Sequence, residues 1–133
     1  MDDSTLLAAG ILLVTVPTIA LGGAFLLWVA SGGVPATEQQ RAYFRAGHAH
    51  AGVLVMLSLV ALLYIDAAPV TGAPAVVATF CIPASPILLP AGFFLSMIGA
   101  ERTEPNRLFF LIPLGAVSLA VGTLTLGIAL LAT

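Results

Sequence analysis

The chain has 133 residues, of which 60% are hydrophobic and 8% are charged, and its net charge at pH 7 is −2. A soluble domain carries about 25% charged residues, so this composition excludes a water-soluble fold and predicts an integral membrane protein. The small net charge indicates no nucleic-acid partner. Cys81 is the only cysteine, which excludes an internal disulfide and a cysteine-based metal site.

Four apolar segments each reach the length of about 20 residues that a transmembrane helix needs. They predict an all-α, polytopic membrane protein in which residues 1–133 form one domain, an antiparallel bundle of four transmembrane helices. The predicted helices cover residues 6–30, 38–65, 75–100 and 108–132.

The first segment is expected to remain in the protein, because its acidic start and its length do not fit a cleaved signal peptide. Asp3, Ser4 or Thr5 is expected to cap this helix. Pro17 lies in its middle and is expected to bend it.

The second segment begins with a capping-box pattern, Thr37 followed three residues later by Gln40. A helix over residues 38–65 is about 42 Å long, which exceeds the roughly 30 Å hydrocarbon core of a bilayer. Its first two turns are therefore expected among the lipid headgroups, with the two histidines of the chain at or just inside the membrane boundary.

The third segment contains Pro83, Pro86 and Pro90, each of which removes a backbone hydrogen bond from a helix. The spacing predicts a kinked or broken helix. Discontinuous helices line binding sites in transporters, whereas a simple bend is the alternative reading. In the polar connection that follows, Thr103 is expected to cap the fourth helix, with Pro105 in its first turn.

The fourth segment carries small residues on one face, namely Gly115, Ser118 and Gly122. Small residues at this spacing let two helices approach closely. The pattern fits packing within the bundle or a contact between two copies, and we favour packing within the bundle.

The arginines predict the orientation. All four lie in two connections that must share one side of the membrane: Arg41, Arg45, Arg102 and Arg107. The positive-inside rule makes that side cytoplasmic. We therefore expect a multi-pass protein of the cell's inner (cytoplasmic) membrane with both termini outside.

The second segment holds both histidines, His48 and His50. Because a helix turns about 100° per residue, positions two apart point in nearly opposite directions. The two imidazoles are therefore not expected to bind one metal from a regular helix. Arg41, Arg45 and His48 share one face, and the small residues around them leave room for a haem or for a closely packed helix.

The candidate metal ligands are His48 and His50. The end of the third segment is expected at a similar depth, where Met97 could supply a second axial ligand and Glu101 could orient a ring N–H. Alternatively, Met97 fills space, Glu101 is a loop charge, and the histidines serve helix packing or proton handling.

The two arginines of the second segment, Arg41 and Arg45, suit the propionates of a haem or the headgroups of anionic lipids. The simpler interpretation is that they set the topology of the chain and bind no ligand.

The stretch Arg45-Ala46-Gly47-His48-Ala49-His50-Ala51-Gly52 resembles HxHxxxxG motifs of small bacterial membrane proteins distantly allied to haem–copper oxidase subunit I. In that superfamily a histidine early in the second helix ligates a low-spin haem, so the resemblance implies this role for His48 or His50. Val55 stands where the motif has its glycine. Two histidines on one helix exclude a haem–copper binuclear centre within one chain.

The leading hypothesis is binding of b-type haem, with copper as the alternative metal, through His48 or His50 for electron transfer or sensing. Whether the protein is an enzyme is left open. The other hypotheses are a non-catalytic accessory subunit and a small transporter or channel that uses the third segment. The expected partners are the lipid bilayer and either further copies of the chain or a larger membrane complex.

Overall fold

The computed structural model describes residues 2–132, which form four long α-helices and no strand. These are α1 (Asp3–Ala30), α2 (Glu38–Ala67), α3 (Gly72–Ser96) and α4 (Leu111–Leu131), with a 3₁₀ turn at Arg107–Phe110 directly before α4. Within the described residues, four helices are long and apolar enough to span a membrane. The predicted all-helical class and the four apolar helices are therefore confirmed.

The starts of the first two helices follow from side-chain caps. Asp2, one residue before the predicted candidates, caps α1 by accepting a hydrogen bond from the Thr5 N–H at 2.8 Å. This bond lowers the pKa of Asp2 to about 2, because it stabilises the ionised carboxylate. The capping box of Thr37 and Gln40 is present at the start of α2, as predicted.

The end of α3 and the start of α4 differ from the prediction. α3 ends at Ser96 rather than at residue 100, and Thr103 does not cap the next helix. Asn106 caps the 3₁₀ turn instead, because its Oδ1 accepts a hydrogen bond from the Leu108 N–H at 2.8 Å. The same side chain donates from Nδ2 to the Leu95 carbonyl at 2.8 Å and so satisfies one of the last acceptors of α3.

α3 is the central helix. It makes its most extensive contacts with α4 and α2, and it also touches α1. α1 packs mainly on α2, and its buried residues number only three: Thr5, Leu12 and Val29. α4 also has only three buried residues but makes far more extensive contacts with α3, so α1 is the most loosely held of the four helices.

The helical backbone of α3 continues through all three of its prolines, so the break considered for this segment is absent. Pro86 supplies no N–H to the carbonyl of Ile82, four residues earlier. The buried Ser85 hydroxyl donates to that carbonyl at 2.8 Å, and the Ser58 hydroxyl of α2 lies 3.3 Å from it. The Ser58 hydroxyl has its shorter bond to the Leu54 carbonyl, at 2.7 Å, so Ser85 replaces the missing donor and keeps the Ile82 carbonyl satisfied in an apolar surrounding.

The small-residue face of α4 packs against α3 within the chain, as favoured from the sequence. A Cβ added at Gly115 would lie 2.9 Å from the Leu89 backbone nitrogen, and one at Gly122 would lie 2.9 Å from the Ile82 backbone nitrogen. Between these two contacts the Ser118 hydroxyl donates to the Cys81 carbonyl at 2.8 Å. The two backbones therefore approach too closely for a ligand to fit between them.

Candidate functional site

An aromatic cluster joins the three helices that surround the histidines. Phe25 of α1 meets Phe44 of α2 edge to face at a centroid distance of 5.3 Å, and Phe44 stacks on Phe94 of α3 at 5.5 Å. Phe25 and Phe94 are also neighbours, at 6.5 Å. This cluster fixes α1 against α2 and α3 close to His48, one helical turn beyond Phe44.

The imidazole of His48 packs against a pair of glycines in α1. A Cβ added at Gly22 would lie 3.5 Å from Nδ1, and one added at Gly23 would lie 3.4 Å from Nε2. The missing side chains make room for the ring, which is half-buried. Among residues 2–132 the ring has no hydrogen-bond partner, and both of its nitrogens lie against the glycines of α1.

One side of His48 opens onto a cavity of about 390 Å³, here named the arginine cavity. Its walls on α1 are apolar, and its α2 wall carries the side chains of Arg41, Arg45 and His48. The residues that line it are Gly23, Leu26, Leu27, Val29, Ala30, Arg41, Arg45 and His48. The predicted common face of the two arginines and His48 is thus confirmed, and it faces α1.

The other side of His48 opens onto a cavity of about 330 Å³, here named the proline cavity. It lies among α1, α2 and α3, and its lining includes Thr15, Thr18, Gly22, His48, Pro86 and Pro90. His48 and the two glycines therefore stand between a cationic cavity and an apolar one.

A third cavity, of about 180 Å³, lies at the other end of α1 and is here named the N-terminal cavity. It is formed by α1 and α3 and includes Ser4, Thr79 and Pro83. It shares the side chain of Ile87 with the proline cavity. The three cavities thus follow one another along α1.

His50 has different surroundings from His48, as the helix geometry predicts. It is exposed, and its ring stacks on Phe93 at a centroid distance of 5.2 Å. Its Nδ1 lies 2.7 Å from the Ala46 carbonyl oxygen. Because a carbonyl only accepts, Nδ1 is the donor in this hydrogen bond. Hydrogen bonding of this type orients ligating histidines in metal sites, but His50 lines none of the three cavities along α1.

Met97 and Glu101 lie apart from the histidines. Met97 is completely buried at the end of α3 and does not line the arginine or the proline cavity. Glu101 is exposed in the connection after α3, where it adopts a φ of 44°. Within the described residues it makes no hydrogen bond to either imidazole. The structure thus brings His48 together with Arg41 and Arg45 but not with the other predicted residues.

Gln40 makes hydrogen bonds to the end of α3 in addition to those of the predicted capping box. Its side chain is 2% exposed, and its Oε1 accepts from the Thr37 N–H at 3.0 Å. Its Nε2 donates to the Met97 carbonyl at 2.9 Å and to the Gly99 carbonyl at 2.8 Å. Gln40 therefore fastens the start of α2, which carries Arg41, to the end of α3.

The side chains near the histidines limit the metals that the chain can hold by itself. In the part of the chain that the structure describes, no group of three or more histidine, cysteine, aspartate or glutamate side chains is arranged to bind a metal ion. A haem iron needs only one or two protein ligands.

No protein-family model, curated protein or solved structure matches the chain significantly.

Proposed function

We propose that this protein binds b-type haem beside His48, with His48 as an axial ligand and with Arg41 and Arg45 paired to the propionates. The observation that supports the proposal is that these three side chains line one cavity whose remaining walls are apolar. A bound haem supplies a one-electron iron centre, which suits electron transfer or sensing.

The residues present fit such a group in charge and in chemistry. Two guanidinium groups match two carboxylates, and the imidazole of His48 has no competing partner within residues 2–132. The His48 nitrogens face the glycines of α1, so binding requires α1 to move outward. The small buried part of α1 makes this the least costly helix to displace. Met97 remains the proposed second ligand. For its side chain to reach the arginine cavity, the end of α3 would have to rearrange.

The proposed architecture is an antiparallel bundle with a kink at the prolines of α3. Phe25 near the end of α1 meets Phe44 near the start of α2, which supports opposite directions for these helices. Gly115 faces Leu89 and Gly122 faces Ile82, so numbering rises along α4 as it falls along α3. We place the protein in the inner membrane of the cell, with both arginine-bearing connections in the cytoplasm according to the positive-inside rule. The protein is proposed to form a homo-oligomer or to belong to a larger complex.

The test is a visible absorption spectrum of the protein purified in mild detergent, with and without dithionite, after expression with haem available. We expect a near-stoichiometric Soret band that sharpens on reduction. The His48→Ala variant should lose it, whereas the His50→Ala variant, altered on the opposite face, should keep it. A flat spectrum, or equal loss in both variants, would contradict the proposal. Metal analysis of the same samples tests copper as the alternative.

A small transporter is the second candidate, and the row of cavities along α1 favours it. Two of these cavities are lined by the prolines of α3. Ion or solute flux in liposomes that changes in a Pro86→Ala variant would support this function. An accessory role in a larger complex would instead be supported by stoichiometric co-purification of other membrane subunits.

A further inference from the structure

The three cavities lie in a row along α1, and this row is here named the α1 groove. His48 lines both the arginine and the proline cavity and lies between them, and Ile87 lines both the proline and the N-terminal cavity. The helical run from Thr15 to Ala30, which borders the first two cavities, spans about 22 Å at 1.5 Å per residue. This length is comparable to one leaflet of a bilayer that is about 40–45 Å thick including its headgroups.

In the middle of the α1 groove, the threonine hydroxyls are already hydrogen-bonded and need no polar ligand. The hydroxyls of Thr15 and Thr18 donate to carbonyls of their own helix, at 2.6 Å each. Most of the other lining side chains are aliphatic, aromatic or proline. Apart from His48 at its border, this part of the groove therefore offers no side-chain donor that an apolar chain would leave unsatisfied.

The end of the α1 groove at the arginine cavity is cationic. Arg41 uses only its Nε within residues 2–132, donating to the Ala36 carbonyl at 3.3 Å, while Arg45 is exposed. Neither guanidinium has a carboxylate partner among the described residues. Both therefore keep donors free for an anion, and guanidinium groups bind phosphate in a bidentate manner.

We propose that the α1 groove binds one anionic phospholipid, with its phosphate on Arg41 and Arg45 and one acyl chain in the proline cavity. The two arginines at one end match the charge of the phosphate, and the apolar length of the rest matches an acyl chain. The inference does not rest on haem binding, since the groove and its free arginines need no cofactor. A haem is also an apolar body with acid groups, so the two ligands compete, and the lipid occupies the haem-free protein.

Native mass spectrometry of the full chain in mild detergent tests the charge argument. Haem-free protein is mixed with phosphatidylglycerol or phosphatidylcholine of the same acyl composition. A basic residue near the membrane surface contributes roughly fivefold to binding of an anionic lipid. We therefore expect phosphatidylglycerol to be retained about 25-fold better. The Arg41→Gln/Arg45→Gln variant should lose this preference, and the matched Arg102→Gln/Arg107→Gln variant should keep it.

A second pair of variants tests the apolar part. Gly22 lines the proline cavity, so Gly22→Leu should fill it and lower phosphatidylglycerol binding at least fivefold. A Cβ at Gly10 meets nothing within 4 Å, so Gly10→Leu is the control in the same helix. The single Arg45→Gln change, at an exposed residue, covers the case in which the double variant fails to fold.

Three results would overturn the proposal. They are equal retention of the two lipids, a preference that persists without the arginines, and equal binding by the two leucine variants. Displacement by millimolar inorganic phosphate would show a phosphate site without an acyl-chain site, and would also contradict it. Haem is followed separately by its absorbance, so failure of this proposal and failure of haem binding are distinguishable.

Discussion

Replacement of Gln40 by alanine tests whether the start of α2 is fastened to the end of α3 as the structure indicates. The Gln40 amide takes part in three hydrogen bonds, one accepted from Thr37 and two donated to the carbonyls of Met97 and Gly99. Its neighbour Gln39 is exposed on the same helix turn. Gln39→Ala is therefore a control that matches residue type, length of the deletion and helix position.

The expected loss of unfolding free energy depends on whether each hydrogen-bond partner of Gln40 is left buried or becomes hydrated. A hydrogen bond contributes a net 0.5–1.5 kcal/mol, and a buried group left unsatisfied costs about 1–3 kcal/mol. The Met97 residue is buried, so its carbonyl should carry the full penalty, whereas Gly99 is exposed and can be hydrated. We therefore expect Gln40→Ala to lower the free energy of unfolding by about 2–3 kcal/mol and Gln39→Ala to lower it by less than about 0.5 kcal/mol.

The measurement is denaturant unfolding of detergent-solubilised protein followed by circular dichroism, with the three proteins compared under identical conditions. Gln40→Glu refines the test, since a carboxylate retains the acceptor for Thr37 but loses both donors to the carbonyls. We expect it to be at least as destabilising as alanine. If Gln40→Ala and Gln39→Ala agreed within 0.5 kcal/mol, the contribution of this hydrogen-bond network to stability would be refuted.

Three further changes probe the packing and the helix start. Gly122→Ala would place a Cβ 2.6 Å from the Ile82 side chain, so we expect a loss of about 1–3 kcal/mol, against no loss for Gly127→Ala, whose Cβ meets nothing. Ser85→Ala should cost about 1 kcal/mol in the same unfolding assay, since it removes the donor to the Ile82 carbonyl. The Asp2 cap stabilises α1 above the ordinary carboxyl pKa near 4, and this contribution is lost as pH falls through about 2. Protection of the first turn of α1 against hydrogen exchange, relative to the intrinsic exchange rate at each pH, should follow that titration, and the Asp2→Asn variant should not show it.

The helices were predictable because their signals are local. A run of about 20 apolar residues and the capping box of Thr37 and Gln40 depend only on neighbours in sequence. The misplaced cap at Thr103 shows where local signals fail. Thr103 and Asn106 are both plausible caps in isolation. Asn106 serves because its amide also reaches the Leu95 carbonyl, a contact that depends on the tertiary fold.

The candidate site was predictable on one helix and not across helices. Spacing alone placed Arg41, Arg45 and His48 on one face and His50 on another, because helix geometry fixes both directions. The spacing of residues on α2 does not show which helix packs against the face that carries the arginines and His48. The glycine pair of α1 that receives His48 could be found only from the fold, since Gly22 and Gly23 resemble any small pair that lets helices approach.

Glycine has opposite consequences at two of the helix contacts of this protein. At α3–α4, Gly115 and Gly122 bring backbone against backbone, so that contact leaves no space for a ligand. At α1–α2, the glycines face the ring of His48, and cavities remain on both sides of it. Moving a side chain and a loosely held helix costs less than separating two closely packed backbones. A ligand of this protein should therefore be accommodated by α1, while the contact between α3 and α4 stays unchanged.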